Sequence, residues 1–379
     1  MQKLKICCFC ETWESGGIES FLNNVLQHIN LEKIQVDIVV SCLKKSIFTE
    51  PLKQKGIHFF ELSGNQRNFL KNYYMFVKLL QKENYNAVHL HIFHGLSLYY
   101  ACLAKKAGVP VRIVHSHNTA LRSSKSQQLK LFIHNIAKNL FSNAATDLWA
   151  CSALAAQFLF SKRALKQKGF QFIPNGIDTE KFRFRPEVRK QMRRRLELEN
   201  KLIIGNVGRF CYQKNQTFLL DIFAELVKQK PESRLLLVGE GEEEKALRNK
   251  AKTLNIAGQV IFYGVSKQIE YLLWAMDMFV FPSHFEGLGI VAIEAQAAGL
   301  PVIVSEFIPQ EAYITEQVKR LSLRDSAREW VNEIVHTKSS ITGREHYADV
   351  VQKAGFNILD VTYRIKKYYK DRLAKENDA

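Results

Sequence analysis

The chain has 379 residues, of which 46% are hydrophobic and 24% are charged, as in an ordinary folded protein rather than a disordered one. This length predicts two domains instead of a single core. With 54 Lys and Arg against 37 Asp and Glu, the formal net charge is +17. Such an excess attracts polyanions, meaning nucleic acid, an anionic membrane surface or a phosphorylated ligand, and composition does not choose among them.

The first apolar segment, residues 6–10, is shorter than the apolar region of a signal peptide, and polar residues follow it. We therefore expect a buried strand there and a cytoplasmic protein. No apolar run in the sequence approaches the roughly 20 residues of a membrane-spanning helix. Of seven cysteines, only Cys7, Cys8 and Cys10 cluster. Since a strand points Cys7 and Cys8 to opposite faces, buried thiols are a better interpretation than a metal or redox centre.

Short apolar runs alternate with helical patterns along the whole chain. In the first half, the runs are residues 6–10, 36–43, 57–62, 87–92, 111–115, 148–152 and 170–174. In the second half, they are residues 202–207, 234–238, 260–263, 278–282 and 301–304. Nearly continuous apolar strands separated by helices predict parallel sheets that are covered on both faces, which is the α/β class.

The pattern restarts near residue 202, after an Asn-Gly turn at 175–176 and an Arg-rich stretch over 182–195. We therefore expect two doubly wound domains, residues 1–180 and 181–358. The last helical pattern, 359–375, is predicted to pack back on the first domain. Because such sheets bind ligands at the carboxyl ends of their strands, two facing domains would form a cleft that the motifs line.

A glycine pair, Gly16 and Gly17, directly follows the first predicted strand and precedes a helical run. Paired glycines let backbone N–H groups approach a phosphate at a helix N-terminus. The third glycine of a dinucleotide-binding fingerprint is missing, so a simple tight turn explains the pair equally well.

Two histidines, His115 and His117, stand at the carboxyl end of the run 111–115. A lone histidine is more often a core residue, whereas two at a strand end are better site candidates. A metal ion would need further ligands, which His89 and His91 could supply. We expect no metal.

In the second half, Gly208 and Arg209 follow the run 202–207, with Lys214 a few residues on. An Arg and a Lys at a strand end can clamp a diphosphate, although an ordinary surface ion pair is the alternative. The loop 238–244 also contains two glycines. Its three glutamates would repel a phosphate, so we interpret it as a charged helix start.

The strongest motif spans residues 281–306. Glu286 and Glu294 stand eight apart, with the glycine-containing segment 287–289 after the first and a helix predicted from about residue 289. One carboxylate could accept hydrogen bonds from sugar hydroxyls and the other from a ribose, while loop N–H groups face a phosphate. The neighbours of Glu294 are small and apolar, and acids in such surroundings usually have a function.

Together these residues resemble the retaining family 4 glycosyltransferases, whose GT-B fold consists of two facing Rossmann-like domains. The resemblance covers about residues 4–306. The matching segments, in the family's order, are 16–17, 115–118, 173–178, 208–214, 286–294 and 299–303. The glutamate pair in its Pro-Ser-x-x-Glu-Gly context is the most specific of them. After residue 306 the chain departs from the family's glycine-rich turn.

The resemblance implies that the catalytic residues are Glu286, His117, Arg209 and Lys214. Arg209 and Lys214 would hold the donor diphosphate, Glu286 would contact the donor sugar, and Glu294 would bind the ribose. Gly17 would lie close to the phosphate and acceptor, and His117 would contact the transferred sugar. The implied donor site is completed by Gly208 and by the segment Gly287, Leu288, Gly289 and Ile290.

Family members generally transfer sugar with retention, without a metal, and with the leaving phosphate taking the acceptor proton. Those with this His-Ser-His-Asn pattern are often bacterial enzymes of capsular or exopolysaccharide biosynthesis that act on a lipid carrier. A basic protein would then lie peripherally on the anionic inner membrane surface. Candidate membrane contacts are the amphipathic segments 67–82 and 122–138, which could also be ordinary packed helices.

Three other functions remain open at this stage. A nucleotide-sugar epimerase shares the fold but would need catalytic acids in the first domain, where none is identified. A non-catalytic partner subunit would normally lack the acidic pair. A nucleic-acid-binding protein would explain the charge, yet the sequence shows no recognised nucleic-acid-binding motif, so we expect no nucleic-acid partner.

Overall fold

A computed structural model describes residues 3–14, 16–121, 127–338 and 340–377. Its contacts divide the chain into two compact units, residues 1–176 with 358–379, and residues 177–357. The division falls in the Asn-Gly turn, a few residues before the boundary that the sequence predicts. Each unit holds one parallel sheet, which confirms the predicted α/β class.

The first unit contains a seven-stranded sheet in the order β3-β2-β1-β4-β5-β6-β7, and every described pairing is parallel. Its strands are β1 (Leu4–Trp13), β2 (Ile34–Leu43), β3 (His58–Glu61), β4 (Ala87–Ile92), β5 (Val111–Ser116), β6 (Asp147–Ala150) and β7 (Gln171–Phe172). Its helices before the second unit are α1 (Gly17–His28), α2 (Thr49–Gln54), α3 (Phe69–Glu83), α4 (Tyr99–Lys106), α5 (Gln127–Phe141), α6 (Ala153–Leu159) and α7 (Lys162–Lys168).

The second unit contains a six-stranded parallel sheet in the order β10-β9-β8-β11-β12-β13. Its strands are β8 (Ile203–Val207), β9 (Arg234–Val238), β10 (Val260–Gly264), β11 (Met278–Phe281), β12 (Val302–Ser305) and β13 (Val318–Leu321). Its helices are α8 (Thr179–Phe182), α9 (Pro186–Arg195), α10 (Gln216–Gln229), α11 (Glu244–Thr253), α12 (Ile269–Ala275), α13 (Ile290–Ala297), α14 (Ala327–His336) and α15 (Tyr347–Val351).

All twelve predicted strands form, and one further strand, β13, was not predicted. It lies at the edge of its sheet, where Lys319 and Arg320 are exposed. An edge strand tolerates charged side chains because only one neighbour covers it, so no apolar run marks it in the sequence.

The last helix, α16 (Ile358–Asn377), belongs to the first unit and packs on the same face of the sheet as α1. Its side chains Ile365, Tyr369 and Leu373 are buried against that core, 4–8 residues apart as the turns of a helix require. The C-terminal segment of the chain therefore completes the hydrophobic core of the N-terminal unit.

All seven cysteines are free thiols, and Cys7, Cys8 and Cys10 of β1 are buried. Burial raises the pKa of the Cys8 thiol to about 12, with the nearby carboxylate of Asp37 adding to the effect. Within the described residues, no helix combines the length and the hydropathy that crossing a membrane requires.

Candidate active site

An ion pair between Lys214 and Glu286 lies at the carboxyl edge of the second sheet. The Lys214 Nζ atom is 2.7 Å from Glu286 Oε1, and the two side chains are only 18% and 8% exposed. Gln213 donates from Nε2 to the other carboxylate oxygen at 3.3 Å and to the Phe285 carbonyl at 3.0 Å. The ammonium group also lies 4.8 Å from the ring centroid of Phe281. Two segments that are 72 residues apart in sequence therefore meet in one hydrogen-bonded cluster.

The position of this cluster follows from the strand order. Lys214 follows β8 and Glu286 follows β11, and these strands are neighbours in the middle of the sheet. Successive strands run outward from β8 in one direction and from β11 in the other, so the pair of strands forms the topological switch point. In doubly wound sheets, the loops diverge at this point and leave a crevice where ligands bind.

The loop that begins at Gly208 packs tightly against its neighbours. A Cβ atom at Gly208 would lie 3.2 Å from Lys214 Cε, so the glycine leaves room for the lysine stem. On the other side, a Cβ atom at Gly239 would lie 2.1 Å from the Gly208 carbonyl oxygen, and Gly241 is similarly close to Phe210. The glycines of the loop 238–244 therefore serve close backbone packing, which accounts for their presence without a bound phosphate.

Arg209 does not join the Lys214–Glu286 cluster in this structure. Its Nε donates to Glu242 Oε2 at 3.0 Å, and the two side chains are 61% and 37% exposed. Exposed pairs of this kind contribute only about 0–1 kcal/mol. Little free energy therefore opposes a movement of the guanidinium group from Glu242 to an anionic ligand.

The segment from Gly287 to Ile290 turns the chain from the ion pair into α13. Gly289 precedes the helix with φ 84° and ψ 51°, a left-handed conformation that favours glycine. Because a glycine has no side chain, the N-terminus of α13 carries no side-chain cap. Uncapped helix N-termini attract anions through their free N–H groups and the helix dipole. Leu288 is buried beneath the turn, and Ile290 is half-buried.

Glu294 lies in the second turn of α13 and is half-buried. Burial raises the pKa of its carboxyl group to about 7, and the negative charge of Glu270 adds to this, while Lys181 and Lys214 act in the opposite direction. Lys181 Nζ lies 3.4 Å from Glu270 Oε2, so α8 and α12 supply a second ion pair near Glu294. Its carboxyl group is thus close to half-ionised at neutral pH.

Three residues of this region were missed by the sequence interpretation: Gln213, Lys181 and Glu270. Only Gln213 carried a usable signal, because it directly precedes Lys214. Lys181 and Glu270 belong to short helices that are distant in sequence, and no local pattern links them to Glu294.

In the first unit, α1 begins at Gly17, directly after Gly16. The Glu19 side chain folds back over this turn, where its Oε1 accepts a hydrogen bond from the Glu14 N–H at 3.1 Å. A Cβ atom at Gly16 would lie 2.7 Å from Glu19 Oε2, whereas one at Gly17 would meet nothing within 4 Å. A side chain at position 16 would therefore displace the flexible end of Glu19, whereas the space beside Gly17 is open. Burial raises the pKa of Glu19.

Four histidines form a cluster on one face of β4 and β5. His91 Nδ1 is 2.9 Å from His117 Nε2, and His89 Nε2 is 3.3 Å from His115 Nδ1. The Tyr369 hydroxyl of α16 lies 2.6 Å from His89 Nδ1. His115 is fully buried, whereas His117, one residue beyond β5, is half-buried.

All four imidazoles are neutral at physiological pH because burial lowers the pKa of each. For His117 the pKa falls to about 3, although the nearby Asn175 side chain opposes part of this effect. Of the two histidines in the His-Ser-His-Asn motif, His117 is thus the more accessible one.

Comparisons with known proteins agree with this architecture. Residues 15–181 match the family described as Glycosyltransferase Family 4, and residues 188–338 match that described as Glycosyl transferases group 1. EpsF of Bacillus subtilis is 30% identical over 351 residues, which cover 90% of both chains. The UDP-Gal:alpha-D-GlcNAc-diphosphoundecaprenol alpha-1,3-galactosyltransferase of Escherichia coli is 26% identical, with 90% of this chain and 91% of that protein covered.

Solved GT-B glycosyltransferases share the fold. HepE of Anabaena, in complex with UDP, superposes with a TM-score of 0.77 at 20% identity over 97% of this chain and 100% of that one. A sucrose-phosphate synthase from Thermosynechococcus elongatus gives a TM-score of 0.79 at 18% identity, covering 98% and 100% of the two chains. The chain therefore belongs to the family 4 glycosyltransferases and is a glycosyltransferase of the GT-B fold.

Proposed function

We propose that this enzyme transfers a sugar, with retention, from a nucleotide-sugar donor to a glycan or lipid-linked acceptor in capsular or exopolysaccharide biosynthesis. A uridine diphosphate sugar is the favoured donor. The Escherichia coli relative is named for UDP-Gal and for an acceptor on diphosphoundecaprenol, and it aligns along 90% of this chain.

The observation that carries the proposal is the Lys214–Glu286 pair at the switch point of the second sheet. The Lys214 ammonium group would neutralise charge that develops on the departing diphosphate, and Arg209 would add to this after leaving Glu242. Fixed positive charge at a leaving group stabilises the transition state most when water is excluded. The N-terminus of α13, which has no side-chain cap, follows Glu286 after the segment 287–289 and would provide N–H groups to the same phosphates.

The remaining roles follow the family's pattern. Glu286 would accept hydrogen bonds from hydroxyls of the donor sugar, and ionised Glu294 would accept them from the ribose. His117 would hydrogen-bond to the transferred sugar, since its neutral imidazole can donate or accept. Two cations, Lys214 and Arg209, would supply the charge that a metal supplies in other transferases, so we propose that transfer needs no metal. The leaving phosphate would take the acceptor proton.

The test is substitution of the buried pair. Glu286→Gln keeps the shape of the side chain, and its single amide oxygen can still accept from Lys214, so the protein should remain folded. Removing one electrostatic contact of this kind should lower kcat by roughly 100- to 1,000-fold at saturating donor. Lys214→Ala should have a similar or larger effect on kcat, while circular dichroism checks that it folds.

Lys228→Ala is the matched control, because it breaks an exposed Lys–Glu pair on α10 of the same unit. It should leave turnover unchanged. Near-normal turnover in Glu286→Gln or Lys214→Ala would refute the assignment. Conversion of the nucleotide sugar to an isomer without any acceptor would instead indicate an epimerase, and donor binding without turnover in the wild type would indicate a non-catalytic subunit.

We also propose that the enzyme works on an anionic membrane surface, and α5 carries this proposal. Only His134 and Ala137 of this helix are buried, whereas its apolar side chains face outward. Leu129, Phe132 and Leu140 are 60%, 63% and 66% exposed. A helix that buries a histidine and exposes leucines has the polarity of an interfacial membrane anchor, and the net charge of +17 adds electrostatic attraction.

The two predicted contact segments differ in the structure. In α3, Phe76 and Leu80 belong to the core, so that part of the segment 67–82 is an ordinary packed helix, although Leu70 and Tyr74 at its start are exposed. Of the segment 122–138, residues 122–126 lie outside the described part of the chain. The described remainder falls on α5, which becomes the better candidate.

Sedimentation with anionic liposomes tests the membrane surface. The wild-type protein should bind at low salt and dissociate at about 0.5 M, where charges are screened over a few ångströms. The double substitution Leu129→Ser and Phe132→Ser should weaken binding at least 10-fold. Leu359→Ser with Tyr363→Ser is the matched control, since these residues of α16 are 60% and 66% exposed. Equal binding by both double variants would contradict the role of α5.

A further inference from the structure

The histidine cluster of the first unit contains more metal-ligating side chains than sugar binding requires. β1, β4 and β5 are neighbours, and the register places Cys8 beside His89 and His91 beside His115. Because alternate residues of a strand share a face, His89 and His91 point to the same side of the sheet, as do His115 and His117. Together with Cys8 of β1, the four histidines thus span three adjacent strands.

Three buried ring nitrogens of this cluster make no hydrogen bond of good geometry within the described part of the protein: His91 Nε2, His115 Nε2 and His117 Nδ1. The Asn175 side chain lies near His117 and the Ile173 backbone lies near His115. His91 and His115 are completely inaccessible to solvent. Buried polar atoms in folded proteins are nearly always paired, so these imidazole nitrogens are available to a ligand. An imidazole that stays neutral offers a lone pair, and neutral imidazole is the commonest protein ligand for transition metals.

The distances are compatible with a metal ion. Ligand atoms of His91, His115 and His117 all lie within 4.8 Å of one another. Tetrahedral coordination with metal–nitrogen bonds of roughly 2.0–2.1 Å needs separations of about 3.4 Å, which small side-chain rotations supply. The residues come from two paired strands, so the backbone already holds two of the three ligands in register.

A second group, Cys8, His89 and His91, satisfies the same distance criterion but is a poorer site. All three of its residues are buried, so an ion has less access to this group. The group with His117 has a half-buried member at the end of its strand, which gives an ion access and leaves a coordination position open.

We propose that His91, His115 and His117 form a binding site for one divalent transition-metal ion, with Zn²⁺ as the best-suited ion. Three nitrogen ligands with an open fourth position suit zinc and exclude the oxygen-preferring Mg²⁺ and Ca²⁺. The site is distinct from the chemistry of transfer, for which no metal is proposed. A consequence that depends on the proposed function is inhibition, because the bound ion would occupy the imidazole that contacts the donor sugar.

Metal binding is measured directly, without donor or acceptor. The chelator-treated wild-type protein is titrated with Zn²⁺ against a chromophoric zinc indicator, and separately with Co²⁺ followed by visible absorption. We expect one equivalent to bind tightly, with intense ligand-field bands and no near-ultraviolet sulfur-to-cobalt band, since all three ligands are nitrogens. No stoichiometric binding, or a sulfur-to-cobalt band, would overturn the proposal.

The variants His91→Gln and His115→Gln should each weaken zinc binding at least about 100-fold, since even outer-shell partners of such ligands are worth 10- to 100-fold. His28→Gln, an exposed histidine of α1, and Cys8→Ser should bind as the wild type does. Thermal unfolding checks that each variant folds. If one of the two glutamine variants does not fold, the other is enough for the test. Wild-type affinity in a folded His91→Gln or His115→Gln protein would refute the site.

Failure of this proposal is separable from failure of the proposed function. Glu286→Gln lies in the other unit and should bind zinc normally even though it has lost transfer. If zinc binds at the histidines but does not inhibit transfer, the metal site is supported and the assignment of His117 to the donor sugar is wrong.

Discussion

Glu294→Gln should stabilise the protein at high pH and leave its stability nearly unchanged at low pH. Burial raises the folded-state pKa of Glu294 from 4.5 to about 7, which means that folding favours the neutral carboxyl group. The stabilisation from burying the neutral carboxyl group is fully present below the pKa of the unfolded state, and it is lost as the pH rises through about 7. Glutamine remains neutral throughout, so it does not suffer that loss.

The size of the effect follows from the two pKa values. At about 1.4 kcal/mol per pKa unit, their difference lowers the free energy of unfolding of the wild-type protein by about 3 kcal/mol above pH 8. For a unit of this length, each kcal/mol changes Tm by about 2–4 °C, so the variant should unfold about 6–12 °C higher at pH 8.5. Near pH 4.5 the two proteins should unfold together. Lys181, Lys214 and Glu270 lie near this position in both proteins, and their effect on the wild-type carboxyl group is already included in its pKa.

Thermal unfolding followed by circular dichroism between about pH 5 and pH 8.5 measures the difference. Glu345→Gln, an exposed acid of the same unit, is the control and should change Tm little. A Tm difference for Glu294→Gln that is constant over this range, or that shrinks as the pH rises, would refute the reasoning. The same variant should bind nucleotide more weakly at high pH, because an amide replaces the carboxylate proposed to hold the ribose.

Two further predictions concern the frame of the second unit. Gly239→Ala should destabilise it by about 1–3 kcal/mol in urea unfolding, because Gly239 has φ 137° and a new Cβ would lie 2.1 Å from the Gly208 carbonyl oxygen. Gly258→Ala is the control and should be nearly neutral, because a Cβ there would have nothing within 4 Å. Equal destabilisation by the two substitutions would contradict this prediction. Asp277→Asn should cost about 3–5 kcal/mol, since Asp277 pairs with the buried Arg189 and Arg193. The partly exposed pair of Asp221 and Lys250 provides the control, where Asp221→Asn should cost less than about 1 kcal/mol.

The fold was largely predictable because parallel strands are buried on both faces and so appear as apolar runs in the sequence. The run 234–238 coincides with β9, and the run 87–92 coincides with β4. β13 escaped prediction for the opposite reason, since an edge strand with Lys319 and Arg320 resembles a loop. The packing of α16 on the first unit was predicted, but which of its residues enter the core became clear only from its contacts with α1.

The positions of candidate residues at strand ends were predictable. Lys214 and Glu286 come after β8 and β11, and the structure joins them at 2.7 Å. Arg209 follows β8 as well, yet it lies in an exposed pair with Glu242, because the side chain of a loop residue is not fixed by its sequence position. Lys181 and Glu270 could not have been found, since they approach Glu294 from helices that only the tertiary structure brings together.

The sequence by itself determined the two parallel sheets, the residues at the strand ends and the family. This was possible because each buried strand is a local apolar run and these runs alternate with helical patterns. The order of the strands, and with it the neighbours of each loop, was decided by tertiary structure. Strand order made β8 and β11 adjacent and so created the Lys214–Glu286 pair, and it put His91 beside His115. The tertiary structure also decided ionisation states, since the shifted pKa values of Glu294 and His117 arise from burial by segments that are remote in the chain.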